Sequence, residues 1–238
     1  MASPRFPLVL LPGLANDARL WEHQIAGLAD LAQPHVGNLT QFDTIPALAT
    51  QVLRDVEPRE FVLVGFSMGG YTALEIVRQA AHRVRALALV DTSARPDSPE
   101  ATARRREQID RASTDFAGVV DALFRAVVHP ARRDDPALLD VFRAMARRTG
   151  AEAFMRQQRA IMSRADSRPL LASIACPTLV VCGREDPVVP VELHEELAAG
   201  IAGAELVVLG ECGHLAPLER PIDLTAVLRA FVARLPES

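Results

Sequence analysis

The sequence predicts an α/β fold: a mostly parallel six-stranded sheet flanked by helices and interrupted by a helical insertion. Three observations carry this. Six short apolar runs of β type alternate with segments of helical period, as expected of helical crossovers joining parallel strands buried on both faces. That pattern stops between Arg95 and Arg168, where only helical periodicity remains. A chain of 238 residues, 49% of them hydrophobic, is also of the size that closes a single core.

Leu8 to Leu11 is the first strand, bracketed by Pro7 and Pro12. A helix over Leu20 to Leu31 carries Trp21, Ile25 and Leu28, and a short strand follows around Pro34 to Val36. Ile45 to Val56 is helical, Phe61 to Val64 a strand, about Gly70 to Ala81 a helix with Leu74, Ile76 and Val77, and Ala86 to Val90 a strand. In the insertion, Val119, Val120, Leu123, Phe124 and Val127, then Leu138, Leu139, Phe142 and Met145, recur at helical spacing. Breakers at Pro130, Pro136 and Gly150 divide the insertion into about four helices. Strands at Thr178 to Cys182 and Glu205 to Leu209 then alternate with helices at Val191 to Ala199 and Ile222 to Leu235. The predicted organisation is a core in two parts, residues 1–94 and 169–238, with residues 95–168 inserted between them.

Gly65-Phe66-Ser67-Met68-Gly69 lies between the Phe61 strand and a helix, the context of a nucleophile elbow. A serine on that sharp turn projects its Oγ above the sheet edge, and glycines on either side leave room for the backbone to turn. The N-terminus of the next helix faces the place where negative charge develops on a substrate oxygen. Asp186 lies in the loop after the Thr178 strand, and His214 in the loop after the Glu205 strand. Ser67, Asp186 and His214, each past a successive strand end, have the order and placement of a Ser-His-Asp relay on a parallel sheet. Asp91, at the end of the Ala86 strand, is the rival acid; its alternative role is to cap the chain as it enters the insertion.

In these residues the chain resembles the α/β-hydrolase family, and the resemblance runs from Leu8 to about Leu235. A fourth motif, Leu10-Leu11-Pro12-Gly13-Leu14, is similar to the family's oxyanion loop, with Pro12-Gly13 where members usually carry His-Gly. The family uses a main-chain N–H of this loop, which the resemblance assigns to Leu14; the second donor is the N–H of Met68. The insertion stands where the family places a cap over the nucleophile. The resemblance implies a serine hydrolase of the small carboxylesterase type, cleaving an ester, thioester or lactone through an acyl-enzyme on Ser67, with no metal or organic cofactor. Alternatives within it are a menaquinone-pathway type of lyase, which typically carries Arg where this chain has Tyr71, and a ligand receptor that keeps the relay without turnover. Dehalogenase and epoxide-hydrolase relatives use a carboxylate at the elbow, where this chain has Ser67.

Composition excludes other chemistry. All 26 basic residues are arginine, so neither a Schiff-base lysine nor a P-loop lysine exists. A net charge of −4 without interleaved basic and aromatic residues argues against a nucleic-acid partner. The N-terminal apolar run is too short for a membrane span or a signal peptide. Cys176, Cys182 and Cys212 have no metal-ligand spacing and suit a reducing, cytoplasmic setting as core fillers. The other histidines, His23, His35, His82, His129 and His194, read as surface or capping residues.

Charge is unevenly divided. Residues 95–168 hold 15 arginines against 11 acidic residues, and the remainder 11 against 19. Runs such as Arg104-Arg105-Arg106 read as solvated helix faces. A sharper expectation is a cap that attracts an anionic acyl substrate, with Arg95, Arg125, Arg143, Arg156 and Arg159 as the candidate contacts.

Overall fold

The computed structural model describes residues 6–236; the outermost residues of the two predicted core parts, 1–5 and 237–238, lie outside them. The strands are β1 (Phe6–Leu11), β2 (Ala32–Val36), β3 (Phe61–Phe66), β4 (Val84–Val90), β5 (Thr178–Gly183) and β6 (Glu205–Leu209). They form one sheet in the order β2-β1-β3-β4-β5-β6, and every pairing is parallel. The helices are α1 (Glu22–Gly27), α2 (Ile45–Asp55), α3 (Met68–Ala80), α4 (Pro99–Ala112), α5 (Phe116–Val127), α6 (Pro136–Thr149), α7 (Ala151–Met162), α8 (Arg168–Leu171), α9 (Val191–Gly200), α10 (Ala216–Glu219) and α11 (Pro221–Ala233).

The strands read as continuous apolar runs because the sheet is covered on both faces. Along β1, Leu8 and Leu10 enter one core with Val62, Val64, Leu224 and Leu228. Val9 and Leu11 enter the other, with Leu48, Val52, Leu74 and Ile76. The first predicted helix is shorter than its periodicity suggests: Ala18–Trp21 is a 3-10 turn, α1 ends at Gly27, and Ala32 already pairs with Phe6 in the sheet.

Four longer helices, α4 to α7, stand between β4 and β5. Their starts are written locally. The side chains of Ser98, Asp115 and Asp135 accept hydrogen bonds from the main-chain N–H of Ala101, Gly118 and Leu138, and Pro99 and Pro136 occupy first-turn positions. Gly150, at φ +79°, is the joint between α6 and α7.

The chain runs outward from β1 to β2 and then crosses back to β3 on the other side of β1. The loops that leave β1 and β3 therefore diverge from neighbouring strand ends, opening the crevice where ligands of open α/β sheets bind.

Candidate active site

Ser67, between the end of β3 and the start of α3, has φ +50° and ψ −113°, a strained conformation for a residue with a side chain. The surroundings hold it there. Its N–H donates to Val90 O at 2.9 Å, and its carbonyl accepts from Gly70 N at 2.8 Å and Thr92 Oγ1 at 2.9 Å. The flanking glycines are steric necessities. A Cβ at Gly65 would lie 2.5 Å from Gly69 O, and one at Gly69 would lie 2.2 Å from Leu11 O.

The structure brings Ser67, His214 and Asp186 together. His214 Nε2 is 2.8 Å from Ser67 Oγ, and Nδ1 is 2.7 Å from Asp186 Oδ2. A carboxylate there accepts from Nδ1–H, which leaves Nε2 as the acceptor for the serine hydroxyl. Asp186 is itself fixed, because its Oδ1 accepts from Val188 N at 2.7 Å and Val189 N at 3.0 Å. His214 is anchored by its own N–H to Val127 O at 2.9 Å, and its ring lies 5.4 Å from that of Phe66.

Asp91 has a different place from either one expected of it. Fully buried at φ +46°, it accepts from Gly183 N at 3.0 Å and Ala216 N at 3.2 Å, tying the ends of β4 and β5 to the loop after His214 instead of capping the chain that enters the insertion. Burial, and after it the neighbouring charge of Asp186, push its carboxyl well above the usual carboxylate range. His194 also departs from the surface position expected of it. It is wholly buried, Nε2 accepts from Thr92 N at 3.0 Å, and burial pushes its imidazole down to about 4. Asp91, Asp186 and His194 bring ligand-type atoms within 4.8 Å of one another. Main-chain N–H groups and His214 already engage the same atoms, so the donor set does not fit a metal.

Leu14 follows β1 on the loop beside the elbow, and Met68 is the first residue of α3. Ser67 N and Ala15 N have partners within the protein, whereas among the described residues the N–H groups of Leu14 and Met68 have none. Helices α6 and α7 grip the far side of the Leu14 loop. Gln157 Oε1 accepts from Ala15 N at 3.0 Å, and Arg148 Nε donates to Asp17 Oδ2 at 2.6 Å.

Above Ser67 and His214 lies a cavity of about 70 Å³. Leu123, Val127, Phe142 and Ile161 from α5, α6 and α7 wall it, with Leu14, Phe66 and Tyr71 from below. A larger groove, about 590 Å³, runs beside Pro7, His35 and Pro58, and its lining includes none of Ser67, Asp186 and His214. The arginine at the active cavity is Arg105, which belongs to an adjacent run and is none of the five expected contacts. Arg95, Arg125 and Arg143 pair with Glu196, Asp134 and Asp121, Arg156 donates to Thr40 O, and Arg159 is exposed. Arg105 and Arg164 share one buried carboxylate, Asp97, so the three side chains carry one net positive charge. Gln158 Oε1 holds Arg105 Nη1 at 2.8 Å.

Cys182 and Cys212 are buried, and burial pushes their thiols up, that of Cys182 to about 12, so neither is an activated nucleophile. Two supporting residues escaped sequence reasoning. Glu219 receives Leu215 N at 2.9 Å and His129 N at 2.8 Å, clasping the His214 loop to the end of α5; Gln157 is the other. Their partners, Ala15 N–H for Gln157 and His129 N–H for Glu219, lie 142 and 90 positions away, and no spacing rule marks such a buried polar residue.

The sequence profile of the alpha/beta hydrolase fold family matches residues 7–221. A 2-hydroxy-6-oxononadienedioate/2-hydroxy-6-oxononatrienedioate hydrolase of Escherichia coli K12 is 27% identical over 218 residues, 84% of this chain and 71% of that protein. The hydrolase of the same name from Klebsiella pneumoniae is 42% identical over 69 residues, 29% of this chain and only 24% of its own length. Among solved structures, a thermophilic esterase from Thermogutta terrifontis superposes with a TM-score of 0.89 at 28% identity, covering 100% of this chain and 92% of the other. The enol-lactonase of Burkholderia xenovorans LB400 superposes with a TM-score of 0.86 at 26% identity, covering 98% and 93%. Among the described residues no helix is long and apolar enough to cross a membrane. The match across nearly the whole chain and the six-stranded parallel sheet agree: the chain belongs to the alpha/beta hydrolase fold family.

Proposed function

We propose that the protein is a serine esterase that cleaves a small carboxylic ester, or a related thioester or lactone, through an acyl-enzyme on Ser67, with residues 95–168 as its cap. The observation that carries this is the unbroken hydrogen-bonded line from Asp186 Oδ2 through His214 to Ser67 Oγ, at 2.7 and 2.8 Å. His214 Nε2 takes the serine proton as Oγ attacks the carbonyl carbon, and the N–H groups of Leu14 and Met68 receive the oxyanion. Asp186 fixes the imidazole tautomer and stabilises its charged form. The protonated His214 then gives its proton to the leaving group, after which it activates a water to clear the acyl-enzyme.

The mainly apolar walls and small volume of the cavity favour a short acyl chain. Arg105, held by Asp97 and Gln158, favours an acyl group that ends in a carboxylate. Two relatives are consistent with such a group: the Escherichia coli hydrolase is named for a dioate, and the Thermogutta esterase was solved with malate bound. Esterase and enol-lactonase neighbours also support oxygen-ester or lactone chemistry.

The test is intact-protein mass spectrometry after exposure to a serine-directed phosphonate. The expected result is one adduct per chain, mapped to Ser67. An unlabelled Ser67, with the protein folded, contradicts an activated nucleophile.

A further inference from the structure

We infer that Gln157, a residue of the cap helix α7, is a positioning residue for the oxyanion donor at Leu14. The inference rests on the acyl-transfer reading above.

Ala15, the residue after Leu14, has φ +59° without being glycine, a conformation that needs outside restraint. Its N–H must also find an acceptor, since Ala15 is wholly buried. Gln157 supplies both needs. Its Oε1 receives Ala15 N at 3.0 Å, and its Nε2 donates to Leu39 O at 3.0 Å. The two contacts fix the orientation of the amide, because only its oxygen accepts from an N–H and only its nitrogen donates to a carbonyl. The side chain has no exposed surface, so the brace is sealed from water.

The consequence for Leu14 is geometric. The Ala15 N–H belongs to the peptide unit that immediately follows Leu14, and holding it against α7 fixes the turn from the cap side. The Leu14 N–H, one peptide unit earlier on the loop that shares the cavity with Ser67, has no partner among the described residues. Other cap contacts reach further along the loop: Thr149 Oγ1 meets Asn16 O at 3.5 Å, and Arg148 meets Asp17. Gln157 alone among them engages a peptide unit that adjoins Leu14. The cap thus completes the oxyanion hole as well as roofing the cavity, and its loosening lowers transition-state binding more than substrate binding.

The experiment compares the parental protein with Gln157→Met, which keeps length but has neither acceptor nor donor, on a short-chain ester and on a boronic acid that forms a tetrahedral adduct with serine. The expected result is a fall in kcat of roughly ten- to a hundred-fold, a KM changed by less than about three-fold, and boronate affinity reduced by a factor similar to that in kcat. Ala15→Gly in the Gln157→Met background should recover part of the loss, since glycine takes a positive φ without restraint; a role confined to cap packing would not respond to it. Arg156→Ala, which removes the donor to Thr40 O on the same helix, should leave kcat near parental. If Gln157→Met does not fold, Gln157→Asn, still polar but one methylene too short to reach Ala15, gives the same readout. A folded Gln157→Met or Gln157→Asn protein with parental kcat and parental boronate affinity overturns the inference. A parental protein that neither turns over the ester nor binds the boronate overturns the acyl-transfer reading first, and the inference with it.

Discussion

His214 Nε2 lies 2.8 Å from Ser67 Oγ across 147 positions of the chain. The contact exists because β3 and β6 run parallel in one sheet, so the loops that leave them emerge on the same edge. Asp186, leaving β5 between them in sequence, reaches the other nitrogen of the same ring. The sheet supplies the alignment, and the loops supply the chemistry.

The two buried carboxylates should separate by function. Asp186→Asn presents an amide to His214 Nδ1 and favours the wrong tautomer, so kcat should fall by about 10⁴ with folding retained. Asp91→Asn sets an amide N–H₂ against one of the main-chain donors at Gly183 and Ala216, so it should lower the melting temperature while costing much less in kcat. Matched kinetics and thermal melts of the two variants check this. A reversed ranking in kcat reassigns the acid to Asp91.

The meeting of Ser67, Asp186 and His214 was legible in the sequence because each lies within a few residues of the end of a β-run, and parallel topology turns that placement into proximity; Leu14 was indicated by the resemblance of its loop alone. Glycines 65 and 69 were legible for a related reason, since the elbow leaves no space for a Cβ. Arg105 was not. It shares its helix with Arg104 and Arg106, and periodicity does not say which of three consecutive arginines turns toward a cavity whose far wall lies on other helices. The burial of His194 and Glu219 was hidden likewise, because their partners, Thr92 N–H and His129 N–H, lie 102 and 90 positions away.

Acid should destabilise the protein through His194. Its imidazole titrates near 4 when folded against an ordinary value of 6.5, so the unfolded chain binds the proton first. The stabilisation is therefore complete above about pH 6.5 and is lost as pH falls towards 4. The raised carboxyl of Asp91 works in the opposite sense, favouring the fold at low pH and losing that effect as pH rises through its folded value. Urea unfolding of the parental protein and of His194→Gln from pH 7 to 4.5 should show a shallower loss of stability with acid in the variant. Parallel curves would contradict a neutral, buried His194.

Acyl length should be set by the cap. Leu123 of α5 is half-buried and lines the cavity, so Leu123→Ala should raise kcat/KM for a longer acyl ester relative to a short one by several-fold, at a stability cost of about 2 kcal/mol or less. A panel of graded esters measures the ratio. An unchanged ratio would place the acyl chain elsewhere.

Charge selectivity should follow Arg105. A carboxylate-bearing ester should exceed its neutral isostere in kcat/KM, and Arg105→Gln should remove most of that advantage, whereas neutralising Arg125 or Arg143, neither of which lines the cavity, should not. Added salt should erode part of the advantage, because partly exposed charges are screened over about 8–10 Å at moderate ionic strength. Equal ratios in all these proteins at low and high salt would return the substrate to a neutral ester.

The most direct test of the account is the turnover of a short-chain ester by Ser67→Ala beside the parental protein. Alanine fits the elbow and removes only the attacking oxygen, so kcat should fall by about 10⁴ or more with the fold and melting temperature retained. Turnover by a cleanly purified, folded Ser67→Ala protein within a few-fold of parental would contradict the acyl-enzyme mechanism.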